Sequence, residues 1–281
     1  MTILKIIDVS EHNGKIDWER VKPQVDGVII RCGFGSDKPG NDDKRWQYNV
    51  SECERLGIPY GVYLYSYAKT IDAARSEAAH VLRLIKGHRL SYPVYFDAEE
   101  SGTEKICKAA ALAFGEIIEA AGYYCGVYST PYWFNAYMPG LDRFTKWVAS
   151  WGTNNGKAQK KPAVAGMDMW QYASVGKLAG ITGNVDVGFC YRDFPAEING
   201  APAAPAERED NMAEPTYKDV KDVPEWYRPA VQKLLDADAI NGGTPKDVSA
   251  TDVNLTETEA RLCHLFVTYV DKVTGRVKEA L

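Results

Sequence analysis

Eight short runs of β-branched and aromatic residues, at 3–9, 27–32, 60–67, 92–97, 124–129, 146–151, 167–172 and 185–189, constrain this chain more than any other feature. The early runs alternate with helical patterns at 44–56, 72–86 and 103–121, and a shorter one lies near 131–138. In the second pattern Ala74, Ala78, Val81, Leu82 and Ile85 share a face, and Gly87 ends it. In the third, Ser101 and Glu104 are expected to form a capping box and Gly122 supplies the stop. Strand–helix alternation with this many strands predicts a barrel whose sheet is largely parallel. After Lys146 the runs are joined by Gly-, Asn- and Lys-rich loops with no room for full helices. The expected fold is therefore α/β: an irregular, incomplete TIM-like (β/α) barrel with a small, mostly helical C-terminal domain.

The boundary between the two comes from composition. Residues 195–215 read PAEINGAPAAPAEREDNMAEP, poor in large apolar side chains and punctuated by Pro195, Pro202, Pro205 and Pro215. We expect a barrel over 1–195, a linker over 196–215 and a small domain over 216–281. In the small domain two amphipathic helices are expected, at about 225–238 and about 257–272. Gly242 and Gly243 follow the first, and Thr256 with Glu259 has the spacing of a capping box for the second. That second helix carries apolar residues around most of its circumference, more than a unit this small buries alone. Self-association through 216–281, or packing on the barrel, is expected.

The six cysteines are scattered without a CxxC pair, and none of the four histidines has metal-ligand spacing. Neither a metal nor another cofactor is expected, and the cysteines read as reduced core residues. The net charge of −5 with 17 Tyr and 7 Trp disfavours nucleic acid as a partner and suits stacking on sugar rings. No apolar run reaches the roughly 18 residues that suggest a membrane span, so no membrane insertion is expected. Residues 3–9 lack a basic flank and contain Asp8, which reads as a first strand and not as a signal peptide.

The chemistry points to one segment, SYPVYFDAEE at 91–100, an apolar strand that runs into three acids. Side chains two apart share a face, so Asp97 and Glu99 converge while Ala98 and Glu100 point elsewhere. The C-terminal end of a barrel strand is where such folds carry out chemistry. Glycosidic cleavage needs this pairing, with one carboxyl protonated to serve the leaving oxygen and one charged beside the reaction centre. Asp8 closes the first run and Asp186 lies in the last, so in a closed barrel both stand on neighbouring strands and four acids ring one mouth. Tyr63, Tyr65 and Tyr67 share a strand face, and Trp151, Trp170 and Tyr172 fall at late strand ends. Aromatic walls around an acidic floor describe a carbohydrate cleft; burial in the barrel core is an alternative for Tyr63 and Trp147.

The segments IIDVSEHNGKIDWERVK, GVIIRCGFG, GVYLYSYA, YPVYFDAEE, WVASWG, MWQYAS and VDVGF, in this order over about 3–194, together resemble glycoside hydrolase family 25, the lysozymes of phage endolysins and bacterial autolysins. The resemblance implies a muramidase that cuts peptidoglycan glycan strands between N-acetylmuramic acid and N-acetylglucosamine. It implies Glu99 as proton donor, Asp97 as the partner that steadies the reaction centre or the substrate acetamido group, and Asp8 and Asp186 as supporting acids. Arg31, Tyr65, Trp151 and Gln171 would line the groove, joined by Tyr67 and Trp170 from the strand pattern. A phage or prophage endolysin, made in the host cytoplasm and acting on the wall after release, is the implied setting. A chitinase-type barrel is disfavoured, because Tyr95 stands where an acid ladder would place another Asp. A wall-binding lectin without activity and an N-acetylglucosaminidase stay open as alternatives. Residues 217–243 with 254–260 are similar to part of one S-layer homology repeat, which implies a secondary wall polymer as a further partner.

Overall fold

The computed structural model describes residues 3–38, 40–200, 216–223, 228–236 and 252–256, and the chain divides into two units, Met1–Glu207 and Arg208–Leu281. All eight expected runs are strands of one closed barrel: β1 (Leu4–Val9), β2 (Gly27–Phe34), β3 (Tyr60–Tyr65), β4 (Val94–Asp97), β5 (Cys125–Ser129), β6 (Thr145–Ala149), β7 (Met167–Gly176) and β8 (Val185–Cys190). Between them lie α1 (Trp18–Val21), α2 (Trp46–Leu56), α3 (Ile71–Ile85), α4 (Cys107–Ala120) and α5 (Pro131–Ala136), and α6 (Phe194–Gly200) follows the last strand.

Most strands are buried on both faces, so their sequences run nearly continuously apolar instead of alternating with polar residues. Outward side chains such as Ile7, Ile30, Val62, Leu64, Phe96, Val127 and Val148 pack with Val50 and Cys53 of α2, Ala74, Ala78, Val81 and Ile85 of α3, and Ala110, Phe114 and Ile118 of α4. Inward side chains fill the barrel itself. Trp147 is the centre of that filling, with ring centroids 4.5 Å from Tyr128, 5.2 Å from Tyr95 and 6.1 Å from Tyr63. Tyr63 and Trp147 are thus core, as the alternative reading had it. Phe194 of α6 packs against Tyr92 and Tyr124, which precede β4 and β5, and so closes the end of the barrel opposite the strand C-termini.

β1 to β7 run parallel, whereas β8 is antiparallel to both β7 and β1. Residues 177–184 connect β7 to β8, too few for the roughly dozen-residue crossover that a parallel return needs, so the chain reverses. No helix occupies 150–166 either, which leaves this side of the barrel without the helical layer.

Three local expectations need correction. The third helix begins at Cys107 and not near 103, and no side chain caps it. Thr103 Oγ1 instead donates to the Glu100 carbonyl and Glu104 accepts the Gly102 amide, so the acids satisfy a turn and not a helix end. Residues 196–200, assigned above to the linker, are helical in α6, where Phe194 and Ile198 find apolar cover against the barrel. The small unit contains a strand pair that its helical pattern did not announce: β9 (Thr216–Asp219) is antiparallel to β10 (Asp252–Thr256), and Thr256, read as a helix cap, ends that strand. Its described helix is α7 (Arg228–Asp236), within the span expected at about 225–238. Val220, Val223, Val231 and Leu234 are buried there, and Arg228 donates to the Lys221 and Val223 carbonyls. The second expected helix at about 257–272, with Glu259, Gly242 and Gly243, lies outside the described residues, as does Cys263. The five described cysteines are buried and unbridged.

Candidate active site

The carboxylates meet because strand direction and register bring them to one end. Asp97 ends β4, where a parallel strand presents its C-terminus, and it is level with Tyr65 on β3 and Tyr128 on β5. The chain stays extended for two further residues, since the Ala98 amide donates to the Tyr128 carbonyl and Ser129 Oγ donates to the Ala98 carbonyl. Glu99 therefore follows Asp97 on the same side, as the two-residue period requires. Asp8 is directly paired with Asp186 across the antiparallel β1–β8 ladder. Because β8 runs backwards, the second residue of that strand lies at the mouth; in a parallel strand it would lie at the floor.

A hydrogen-bonded relay spans the space between them. Gln171, inward on β7, donates from Nε2 to Asp8 Oδ2 at 2.9 Å. Its Oε1 accepts the Tyr128 hydroxyl at 2.9 Å and the Trp151 indole N–H at 2.8 Å. Two donors on one oxygen fix which way the amide points, and so commit its N–H to Asp8. On the other side Arg31 donates from Nε to Asp43 at 2.7 Å and from Nη2 to Glu11 at 2.9 Å, so the guanidinium is held by acids outside the cluster.

Burial and mutual repulsion set the protonation of this group. Asp97 is 3% exposed, its Oδ1 has no hydrogen-bond partner among the described residues, and its carboxyl is pushed well above the usual range. Burial is the main cause, the charges of Glu99 and Asp8 add to it, and Arg31 opposes it. Asp8 is raised for the same reason, with Asp186 next in importance and the Gln171 hydrogen bond opposing. Asp186 is pushed up to about 6 by burial. Glu99, which reaches solvent at the mouth, is also raised, by partial desolvation and then by Asp186 and Glu100. Four carboxyls that resist ionisation together hold protons closer to neutral pH than isolated acids would.

The remaining expected residues divide. Tyr65 stands at the mouth, its hydroxyl donating to Glu100 Oε2 at 2.9 Å, so Glu100 belongs to the rim and does not turn away. Tyr67 is 48% exposed with its ring 5.1 Å from Tyr65, and Trp151 is 38% exposed beside Gln171. Trp170 does not join them. It alternates with Gln171 on β7, faces outward against Tyr172 and Phe189, and is buried with its indole N–H on the Ser150 carbonyl. Tyr128, Glu11, Asp43 and Glu100 were missed. Tyr128 could have been found from the period of CGVYS, whereas Glu11 and Asp43 sit in loops where no periodicity marks them. Among the described residues no three His, Cys, Asp or Glu side chains group as a metal site.

Residues 7–181 match the model of glycosyl hydrolases family 25. The modular autolysin LytC from Streptococcus pneumoniae is 36% identical, with 67% of this chain and 47% of that chain covered and a TM-score of 0.57. The bacterial lysozyme from Streptomyces coelicolor shares the fold at 23% identity, covering 70% of this chain and 97% of its own with a TM-score of 0.60. Uncharacterized protein YegX from Escherichia coli O157:H7 is 25% identical over 189 residues, 64% of this chain and 66% of its own. The chain thus spans just under two thirds of YegX and under half of the autolysin. With the family model covering most of the barrel, from the first strand to the loop before the last, the chain belongs to family 25 of the glycosyl hydrolases.

Proposed function

We propose that this chain is a peptidoglycan muramidase, cleaving the bond between N-acetylmuramic acid and N-acetylglucosamine. The observation that carries the proposal is the gathering of Asp8, Asp97, Glu99 and Asp186 at one barrel mouth, each raised by burial and several by each other's charge. Family membership and the likeness to an autolysin support the same substrate. Glu99, the acid that reaches solvent, holds its proton for the glycosidic oxygen. As the C1–O bond breaks, the substrate's own acetamido oxygen bonds to C1. Asp97 Oδ1, which lacks a partner among the described residues, accepts the acetamido N–H and so holds the acetamido oxygen in line with C1. Water then attacks C1, breaking its bond to the acetamido oxygen and so restoring the acetamido group, and gives a proton to Glu99, leaving the anomeric configuration retained. Asp186, with Glu100 beside it, keeps the negative field that holds the Glu99 proton in place.

The test is mass spectrometry of reduced muropeptides released from Gram-positive sacculi, with Glu99→Gln alongside. Products ending in reducible N-acetylmuramic acid, lost by at least about 10²-fold in the variant, are expected. Reducible N-acetylglucosamine ends would move the assignment to a glucosaminidase, and no products at all would leave a binding protein.

A further inference from the structure

Helix α3 packs its apolar face on the barrel, yet two of its inward positions are polar. Glu77 and His80 are both 0% exposed, among Ala74, Ala78, Val81 and Ile85, where further aliphatic side chains would be the ordinary filling. Burying such groups is costly unless they are fully bonded, and here each is bonded to a different mouth loop.

Glu77 takes the loop after β3. Its Oε1 accepts the Tyr67 amide at 2.9 Å and its Oε2 accepts Ser66 Oγ at 2.7 Å, while Ser66 Oγ in turn accepts the Ala68 amide at 3.1 Å. His80 takes the loop after β2, with Nδ1 3.0 Å from the Gly35 carbonyl and Nε2 2.8 Å from Asp42 Oδ1. One turn on, Arg83 donates to Asp37 and Asp42 of that same loop. The loops then meet. The Gly35 amide donates to the Tyr65 carbonyl at 2.9 Å, Tyr67 stands edge-on to Phe34 at 6.3 Å, and a Cβ at Gly35 would lie 3.3 Å from Tyr67 Cδ2. At this junction the backbone is fixed while the Tyr67 ring remains open to solvent beside Tyr65, whose hydroxyl is bound to the acid rim.

We propose that Glu77 is a positioning residue which, with His80, clamps the two loops so that Tyr67 stands as a fixed stacking wall for a sugar ring beside the acids. This rests on the reading of the mouth as a glycan cleft. A preset ring face gains binding because its ordering cost has already been met in the free protein. Glu77 acts only through Tyr67 and touches no substrate.

A double-mutant cycle tests this on a soluble tetrasaccharide of alternating N-acetylglucosamine and N-acetylmuramic acid, reading kcat and KM in the otherwise unaltered protein and the Kd by calorimetry in a Glu99→Gln background, where the ligand stays intact. Tyr67→Ala and Glu77→Gln are each expected to raise KM and Kd about five-fold with kcat within about two-fold, and the double variant to match Tyr67→Ala alone. Ser66→Ala, which removes one link of the clamp and leaves the carboxylate in place, should move KM in the same direction if Glu77→Gln proves too unstable to assay. Unchanged KM and Kd in Glu77→Gln and Ser66→Ala, or effects of Glu77→Gln and Tyr67→Ala that multiply, would overturn the proposal. A wild-type protein that binds the tetrasaccharide without cleaving it, with Kd responding to these variants as expected, would sink the muramidase reading and support the clamp. Cleavage with a Kd indifferent to Tyr67→Ala would do the reverse.

Discussion

At the scale of single residues, the site works through charges that oppose one another's ionisation. Asp186 lies opposite Asp8 on the ladder and raises the proton affinity of both Asp8 and Glu99. Replacing it with Asn removes a like charge, so Glu99 ionises at lower pH. If Glu99 must be protonated to act, the alkaline limb of kcat/KM in Asp186→Asn moves to lower pH, by about half to one unit. A pH–rate profile checks this, and a limb that stays in place or moves to higher pH would remove Glu99 from the role of acid. Gln171 has the opposite effect on Asp8, because its committed N–H stabilises the carboxylate.

At the scale of elements, β8 is the strand on which the site depends. Its reversal brings Asp186 to the mouth, and its close pairing with β7 sets the position of Gln171. Gly188 faces Gln171 across that pair, and a Cβ there would lie 2.6 Å from the Trp170 carbonyl oxygen and 3.3 Å from Gln171 Cα. Backbone cannot move aside as a flexible side chain can. Gly188→Ala is therefore expected to lower stability by about 1–3 kcal/mol, seen as a lower urea midpoint. An unchanged midpoint would mean that β7 and β8 are less tightly coupled than their register implies.

At the scale of the molecule, the barrel holds more protons folded than unfolded. Asp8, Asp97, Glu99 and Asp186 are all raised, and burial pushes Glu77 up to about 7 against hydrogen bonds from Ser66 and the Tyr67 and Ala68 amides. Between the ordinary carboxylate range near about 4 and about 7, the folded state keeps protons that the unfolded chain has released. Stability is then greatest toward the acidic side of this window and falls as pH rises through it. Acids held below their usual range, such as Asp42 beside Arg83 and Glu197 beside Arg192, act in the opposite sense but only below that window. The thermal midpoint is expected to be at least about 3 °C higher at about pH 5 than at about pH 7.5. Glu77→Gln should flatten part of that slope. A midpoint that rises toward pH 7.5 would contradict the buried state of these carboxyls.

Sequence alone determined the eight strands and most of the helices and named Asp97 and Glu99 as candidates, because two-residue and 3.6-residue periods are local properties that survive without knowledge of the partner. It also placed Asp8 and Asp186 as candidates, since acids inside apolar runs are conspicuous. Tertiary structure decided what no local period encodes. The direction of β8 determined which end Asp186 faces, and the inward–outward sense of β7 separated Gln171 from Trp170, one residue apart and on opposite faces of the sheet. The extended run through Ala98, pinned by Tyr128 and Ser129, carried Glu99 to the same side as Asp97. Burial did the rest, for a carboxyl's proton affinity depends on the water and charge around it, and those are fixed only when distant segments close over it.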